Sequence, residues 1–153
     1  PLFQKEVVGN KVYSESYSSP VTSSGNGSLS GLNFVDPIRG GKVTTRFKAS
    51  HRALDIAITN GTPIHAAEAG TVVLARYYGS YGNCIIIDHG NNVQTLYAHA
   101  ERLKAKVGQS VAKGEVISWV GHTGRVYGRT GNHLHFEIRS NGKQLNPAKY
   151  IGR

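Results

Sequence analysis

The stretch HLHFEIR, residues 133–139, carries the pattern from which the rest of the sequence is best read. In a β-strand successive side chains point to opposite faces, so Leu134, Phe136 and Ile138 turn toward a core while His133, His135 and Glu137 share the other face. Two imidazoles on one face, with Cα atoms about 6.5 Å apart, stand close enough for one to bind a metal and the other to reach the substrate. Two surface histidines on an amphipathic strand would give the same pattern, so the pair needs partners elsewhere in the chain.

Outward from this strand, short runs rich in β-formers recur between glycines at residues 42–47, 54–58, 70–76, 84–88, 94–99 and 116–120. With nineteen glycines, eight tyrosines and no methionine, the composition favours a turn-rich sheet protein. The expected fold is all-β, mostly antiparallel, sandwich- or barrel-like, with little helix: one helical turn near residues 100–103 and another near 147–150. GTPIHAAEAGTVV at residues 61–73 and VGQSVAKGEVISWVG at 107–121 echo one another, and resemble the half-barrel repeat of biotinyl and lipoyl carrier domains. A carrier would need a modified lysine on an exposed hairpin, usually flanked by Met or Asp, and no such hairpin is present.

At 153 residues the chain fits one domain of ordinary size. Residues 14–31, SESYSSPVTSSGNGSLSG, are rich in Ser and Gly and read as a linker. The expected division is an N-terminal extension and linker at 1–32, with one strand among residues 2–13, followed by a domain at 33–153. The single cysteine, Cys84, lies in an apolar run with Ile85, Ile86 and Ile87. It therefore reads as a small buried thiol, with no disulfide or thiolate cluster available.

No stretch reaches the twenty or so apolar residues that cross a bilayer, and Pro1 is not followed by a basic and then apolar leader. The sequence reads as a mature or trimmed fragment. Its net charge of +9 implies attraction to polyanions. The basic residues are scattered and form no recognition helix, zinc finger or RNP pattern, so a steering surface is expected and a nucleic-acid partner is not.

Two further elements carry chemistry. An extended strand would separate His51 from Asp55 by about 13 Å, too far to share one ion, so the chain must bend between them if both are ligands. Leu54, Ile56 and Ile58 alternate with Asp55, Ala57 and Thr59, which places Asp55 in a strand and His51 on the loop entering it. An exposed His and a turn-associated Asp would explain this pair taken alone. In TLYAH, residues 95–99, Thr95, Tyr97 and His99 are expected on one strand face, where a lone histidine at a strand end would ordinarily be structural.

Together the elements H-x-x-x-D, Leu96-Tyr97-Ala98-His99 and H-x-H, with Asp55-Ile56-Ala57, Gly61-Thr62-Pro63, Gly82-Asn83, Asp88-His89-Gly90, Val107-Gly108-Gln109 and Gly121-His122-Thr123-Gly124, resemble the LytM or lysostaphin type of zinc metallopeptidase. This is a family of bacterial cell-wall hydrolases, and the resemblance covers about residues 34–150. It implies that His51, Asp55 and His135 bind Zn2+, leaving a coordination position open as a hydrolytic site requires. It implies that His99 and His133 flank the reacting water as catalytic residues, either of which could take its proton. The implied substrate is bacterial peptidoglycan, cut at a D-alanyl cross-link as first choice and a glycine bridge as second. The implied location is outside the cytoplasm, in the periplasm, at the cell surface or secreted, with the protein expected to be a monomer. The alternative is an inactive family member that binds wall or activates an amidase; such members typically lack a metal ligand.

Two departures from the family pattern stand out. Ala53 occupies a position where glycine is usual, so the bend after His51 must be made without glycine's freedom there. Between Gly124 and His133 the link is longer than usual, and Tyr127 and Arg129 are expected to enlarge a loop beside the cleft. His65, His89 and His122 match no catalytic position and read as loop or turn residues.

Overall fold

The computed structural model describes residues 5–8, 11–14, 25–124 and 131–153. The expected loop enlargement at Tyr127 and Arg129 lies outside these residues. The fold is all-β and mostly antiparallel. The strands are β1 (Lys5–Val8), β2 (Lys11–Ser14), β3 (Lys42–Thr45), β4 (Leu54–Ala57), β5 (Pro63–His65), β6 (Gly70–Tyr77), β7 (Asn83–Asp88), β8 (Val93–Leu103), β9 (Ser110–Val111), β10 (Val116–Val120), β11 (His133–Ser140) and β12 (Lys143–Leu145). One short helix, α1 (Ala148–Ile151), follows. Where one strand was expected before the linker, β1 and β2 pair as a hairpin with Val7 opposite Val12.

The other strands form one sheet whose main path runs β3-β4-β11-β8-β7-β6-β9, with β12 beside β11 and β10 bridging β5 and β8. The decisive strand β11 sits inside it, between β4 and β8. Its alternation is as read: Leu134, Phe136 and Ile138 are fully buried in the main core with Leu54, Ile56, Ile85, Ile87 and Tyr97. Burial of each such side chain is worth about 1.5–3 kcal/mol, which pins the register, since a slip of one residue would turn all three to the other face. A second cluster of Val73, Leu74, Tyr78, Cys84, Ile86, Leu96 and Ala98 covers the opposite face. The run Cys84 to Ile87 is buried throughout because both faces of β7 are covered.

The two echoing segments pair with each other. Ile64 of β5 lies opposite Ser118 of β10, and Gly70 of β6 lies opposite Val111 of β9. Between them the Ala66 amide donates to Glu115 O and the Gly114 amide to Ala66 O, both at 2.8 Å. Similar sequences thus occupy reciprocal places.

Three places differ from the expectation. Residues 100–103 are not a helical turn but the continuation of β8, held by β10 through Ala100 opposite Val120 and Arg102 opposite Trp119; the Arg102 guanidinium stacks 3.6 Å over the Trp119 ring. His65 is a strand residue of β5, its Nδ1 2.9 Å from Gly114 O. Residues 25–32, grouped with the linker on composition, lie against the domain. The Gly27 amide donates to Asn91 O at 2.9 Å, Ser140 Oγ donates to Gly27 O at 2.6 Å, and Leu29 and Leu32 pack on the main core.

Candidate metal centre

The chain reaches His51 by a tight turn: the His51 amide donates to Lys48 O at 3.0 Å and the Lys48 amide returns the bond to His51 O at 2.9 Å. A second bend at Ala53 then leads into β4. Ala53 is not among the residues with positive φ, so the bend needs no glycine. The result brings His51 Nε2 to 3.0 Å from Asp55 Oδ2, a separation that an extended strand could not give. Asp55 lies directly opposite His135 across the β4–β11 pairing, and its Oδ1 is 3.0 Å from His135 Nδ1. One ligand atom from each of His51, Asp55 and His135 fits within 4.8 Å of the others.

This donor set suits a cation. His51 Nδ1 lies 3.3 Å from Arg46 O, which leaves Nε2 without a proton in the neutral ring. That buried Nε2 has no hydrogen-bond partner although a carboxylate oxygen is close by. With no proton on Nε2, neither that atom nor the Asp55 carboxylate can donate to the other, and both offer lone pairs within reach of one cation. Two imidazoles, one carboxylate and an open side match the ligand types and number of a hydrolytic zinc site.

His99 reaches the same place by breaking the strand's alternation. Tyr97 is buried in the main core, its hydroxyl accepting from the Ala67 amide at 2.9 Å, whereas His99 lies 5.7 Å ring to ring from His135 on the opposite face. The expectation that Thr95, Tyr97 and His99 share a face is therefore corrected. Between Ile85 opposite Tyr97 and Asn83 opposite Ala100, β8 spends one residue more than β7. His99 has φ 64°, so this β-bulge re-aims the imidazole. A non-glycine residue there carries strain on the order of 1 kcal/mol, and the neighbours support it. Asn83 Nδ2 donates to Ala100 O at 3.2 Å and Glu101 O at 3.1 Å, and Thr123 Oγ1 donates to Ala100 O at 2.6 Å.

His99 Nδ1 donates to Thr123 O at 2.7 Å, and His133 Nδ1 to Gly131 O at 3.1 Å. Each backbone acceptor fixes the tautomer and leaves Nε2 as a base. Burial lowers both pKa values, that of His99 to about 4, against the weaker opposing effect of their hydrogen bonds. The two rings stand 4.9 Å apart. With Thr45, Lys48, Ser50, Ser80 and Tyr81, the five residues His51, Asp55, His99, His133 and His135 line one open cleft of about 520 Å³.

Behind His135 lies a chain the sequence reading did not single out. His135 Nε2 donates to Glu137 Oε2 at 2.8 Å, Arg139 Nε donates to Glu137 Oε1 at 2.7 Å, and Arg139 Nη2 donates to the Tyr81 hydroxyl at 3.0 Å. Glu137 and Arg139 are each 2% exposed. Burial would raise the Glu137 pKa, but the hydrogen bond from His135 and the Arg139 charge outweigh it and hold the carboxylate near about 2. Burial works against charge on His135 too, yet its bonds to Asp55 and Glu137 raise its pKa to about 9. The Asp55 carboxyl is raised by burial and lowered more strongly by His135, His51 and His133, for a net decrease. The available signal was the position of Glu137 on the histidine face of β11.

The remaining sites are structural. Cys84 is fully buried, and that burial raises its thiol pKa well above the ordinary value, so it is no nucleophile. His89, expected to be a plain turn residue, bridges Ala69 O and Thr95 Oγ1, both at 2.7 Å. Thr95 Oγ1 lies 2.7 Å from the Tyr97 hydroxyl in turn. His122 is exposed in a loop, its Nδ1 2.9 Å from Asn132 Oδ1.

An antiparallel sheet with two histidines and an aspartate converging beside two further histidines defines a metallopeptidase class, and comparison with known proteins supplies the family. The profile of peptidase family M23 matches residues 49–147, and the chain belongs to this family. It is 40% identical over 114 residues to the peptidoglycan DD-endopeptidase ShyA of Vibrio cholerae, a match covering 74% of this chain and 26% of that protein. It is 38% identical over 115 residues to the murein hydrolase activator NlpD of Salmonella dublin, covering 72% and 29% respectively. The chain thus spans about a quarter of the length of these curated relatives. A crystal structure described as peptidase M23 from Pseudomonas aeruginosa superposes with a TM-score of 0.75 and 34% identity, covering 86% of this chain and 55% of that one.

Proposed function

We propose that this chain is the catalytic domain of a zinc-dependent endopeptidase that cuts peptide cross-links or interpeptide bridges of bacterial peptidoglycan outside the cytoplasm. It acts as a monomer, and its domain, which residues 25–32 join by packing against it, follows an N-terminal extension and linker. The observation that carries this reading is that ligand atoms of His51, Asp55 and His135 lie within 4.8 Å of one another in a cleft that His99 and His133 also line. His51, Asp55 and His135 would hold the metal. When bound, zinc supplies a Lewis acid for the scissile carbonyl and makes water acidic enough to react near neutral pH.

The chain's own residues do the rest. His99 and His133 each present an unprotonated Nε2 to the cleft. One of them takes the proton of the attacking water on Nε2 and, as the imidazolium so formed, hands it to the leaving amine; the other can steady the developing oxyanion only once it has itself taken up a proton. The tautomers set by Thr123 O and Gly131 O keep both Nε2 lone pairs turned to accept a proton without reorganisation. Since all five side chains come from one chain, no second copy is needed to complete the site.

A D-alanyl cross-link is the first choice of substrate, supported by the name of the Vibrio relative, and a glycine bridge is the second. The activator relative supports a second reading, a non-cutting domain that binds wall or activates an amidase. Against it stands the intact set of ligands and flanking histidines. Digestion of purified peptidoglycans of several cross-link types, with mass analysis of the fragments, tests the proposal. Release of cross-link-cleaved muropeptides dependent on zinc is expected; a zinc-loaded protein that cuts none of them would favour the activator reading.

A further inference from the structure

We propose that Glu137, clamped by Arg139, is a positioning residue that fixes which nitrogen of His135 faces the metal site. This inference rests on the reading of His135 as a ligand.

The argument starts from the inventory of the imidazole. A neutral histidine has one N–H and one lone pair, and a metal takes the lone pair. Both nitrogens of His135 are in contact with carboxylates: Nδ1 with Asp55 Oδ1 at 3.0 Å and Nε2 with Glu137 Oε2 at 2.8 Å. Asp55 itself belongs to the donor set with His51, whereas Glu137 does not and is held on its other oxygen by Arg139 at 2.7 Å. Glu137 therefore accepts the ring proton on Nε2 and leaves Nδ1 for the ion. A carboxylate behind a ligating histidine also raises the basicity of the ring.

The clamp is built rather than incidental. An ion pair with both members 2% exposed must repay a large desolvation cost, and an apolar pair of similar volume can serve stability as well or better. A strand needing only stability could have carried two apolar residues at these positions. The Tyr81 hydroxyl accepts at 3.0 Å from Arg139 Nη2, the nitrogen that also lies 2.7 Å from Glu137 Oε1, and the Tyr81 ring lies 5.7 Å from that of His135. The imidazole is thereby fixed both in orientation and in tautomer.

The test separates this role from simple stability. Removal of Glu137 alone would strand a buried guanidinium, so the informative variant is the double replacement Glu137→Leu with Arg139→Leu, compared with Glu137→Gln, His135→Ala and the parent chain. Thermal unfolding of the metal-free proteins reports the fold; chelator competition for Zn2+ and the absorption spectrum of the Co2+ form report the site. The folded double variant is expected to bind Zn2+ about ten- to a hundredfold more weakly with an altered Co2+ spectrum. Glu137→Gln, which keeps an acceptor for the Nε2 proton, is expected to lose less. Parent-like affinity and spectrum in the folded double variant would overturn the positioning role while His135→Ala still lost metal. Parent-like zinc binding by His135→Ala would instead remove the ligand reading, and the inference with it. Should the double variant not fold, histidine 15N shifts of the zinc-loaded parent decide: metal on Nδ1 with the proton on Nε2 supports the proposal, and the reverse ends it.

Discussion

At the scale of single residues, a metal ligand and a flanking base should separate cleanly on substitution. His135→Ala and Asp55→Ala each remove one donor from the set of three, and both are expected to lose zinc and activity together; zinc at full occupancy in both would contradict the assignment. His99→Ala removes no donor, so it should retain zinc while turnover falls about 10²- to 10⁴-fold, with metal content and kcat measured on the same preparation. His51, Asp55, His99, His133 and His135 were singled out in the sequence by their resemblance to the LytM type, since spacing alone left each element open to a plain structural reading, and the fold brings all five to one cleft. Glu137 and Arg139 were not, since a buried ion pair and a solvated one read alike until burial is known. His89 was hidden for the same reason, and it offers a pH test away from the metal. Burial lowers its pKa below the ordinary 6.5, so as pH falls below 6.5 the unfolded chain takes up a proton that the folded chain refuses. Stability is then fully present above that pH and declines below it. His89→Gln should show a shallower loss of unfolding free energy between about pH 7 and 5 than the parent in urea titrations. Parallel slopes would mean that His89 is not the group responsible.

At the scale of elements, most strands were legible from alternation and glycine punctuation, and the misreadings mark where tertiary pairing overrides local pattern. Residues 100–103 form strand because β10 pairs with them, a long-range partner invisible to periodicity. The bulge at His99 was equally hidden: alternation predicts one face, and a single residue at φ 64° delivers the other. Gly82 shows how this device is braced. It has φ 64°, and a Cβ added there would collide with the carbonyl carbon and oxygen of Thr123, the same carbonyl that accepts from His99 Nδ1 at 2.7 Å. Gly82→Ala is therefore expected to destabilise the chain by about 1–3 kcal/mol, and to lower kcat with zinc retained, because the acceptor behind His99 must move. Gly108→Ala is the control: φ is 89° and nothing lies within 4 Å of the added methyl group, so it carries the backbone strain without the collision. Urea unfolding, zinc content and kcat would separate the two variants. Equal turnover losses in both would show that the Thr123 contact is not what positions His99.

At the scale of the whole molecule, net charge does work that no single contact performs. Eighteen Lys and Arg against nine Asp and Glu give +9, and Lys48 lines the cleft itself. If the substrate is a wall bearing phosphate or carboxylate, this field raises the local concentration of protein at the polymer without altering chemistry in the cleft. The consequence is a difference between substrates as ionic strength changes. The Debye length shrinks from about 10 Å at 0.1 M salt to about 3 Å at 1 M, so long-range attraction fades while contacts inside the partly buried site persist. Hydrolysis of intact anionic wall should therefore slow markedly across that range, through kcat/KM and not kcat, whereas an uncharged soluble peptide carrying the same scissile bond should be cut at nearly constant efficiency. Measuring both substrates over one salt series distinguishes steering from a general effect on the enzyme. A parallel decline for the two would place the salt sensitivity in the cleft, and leave the basic surface without a role in reaching the substrate.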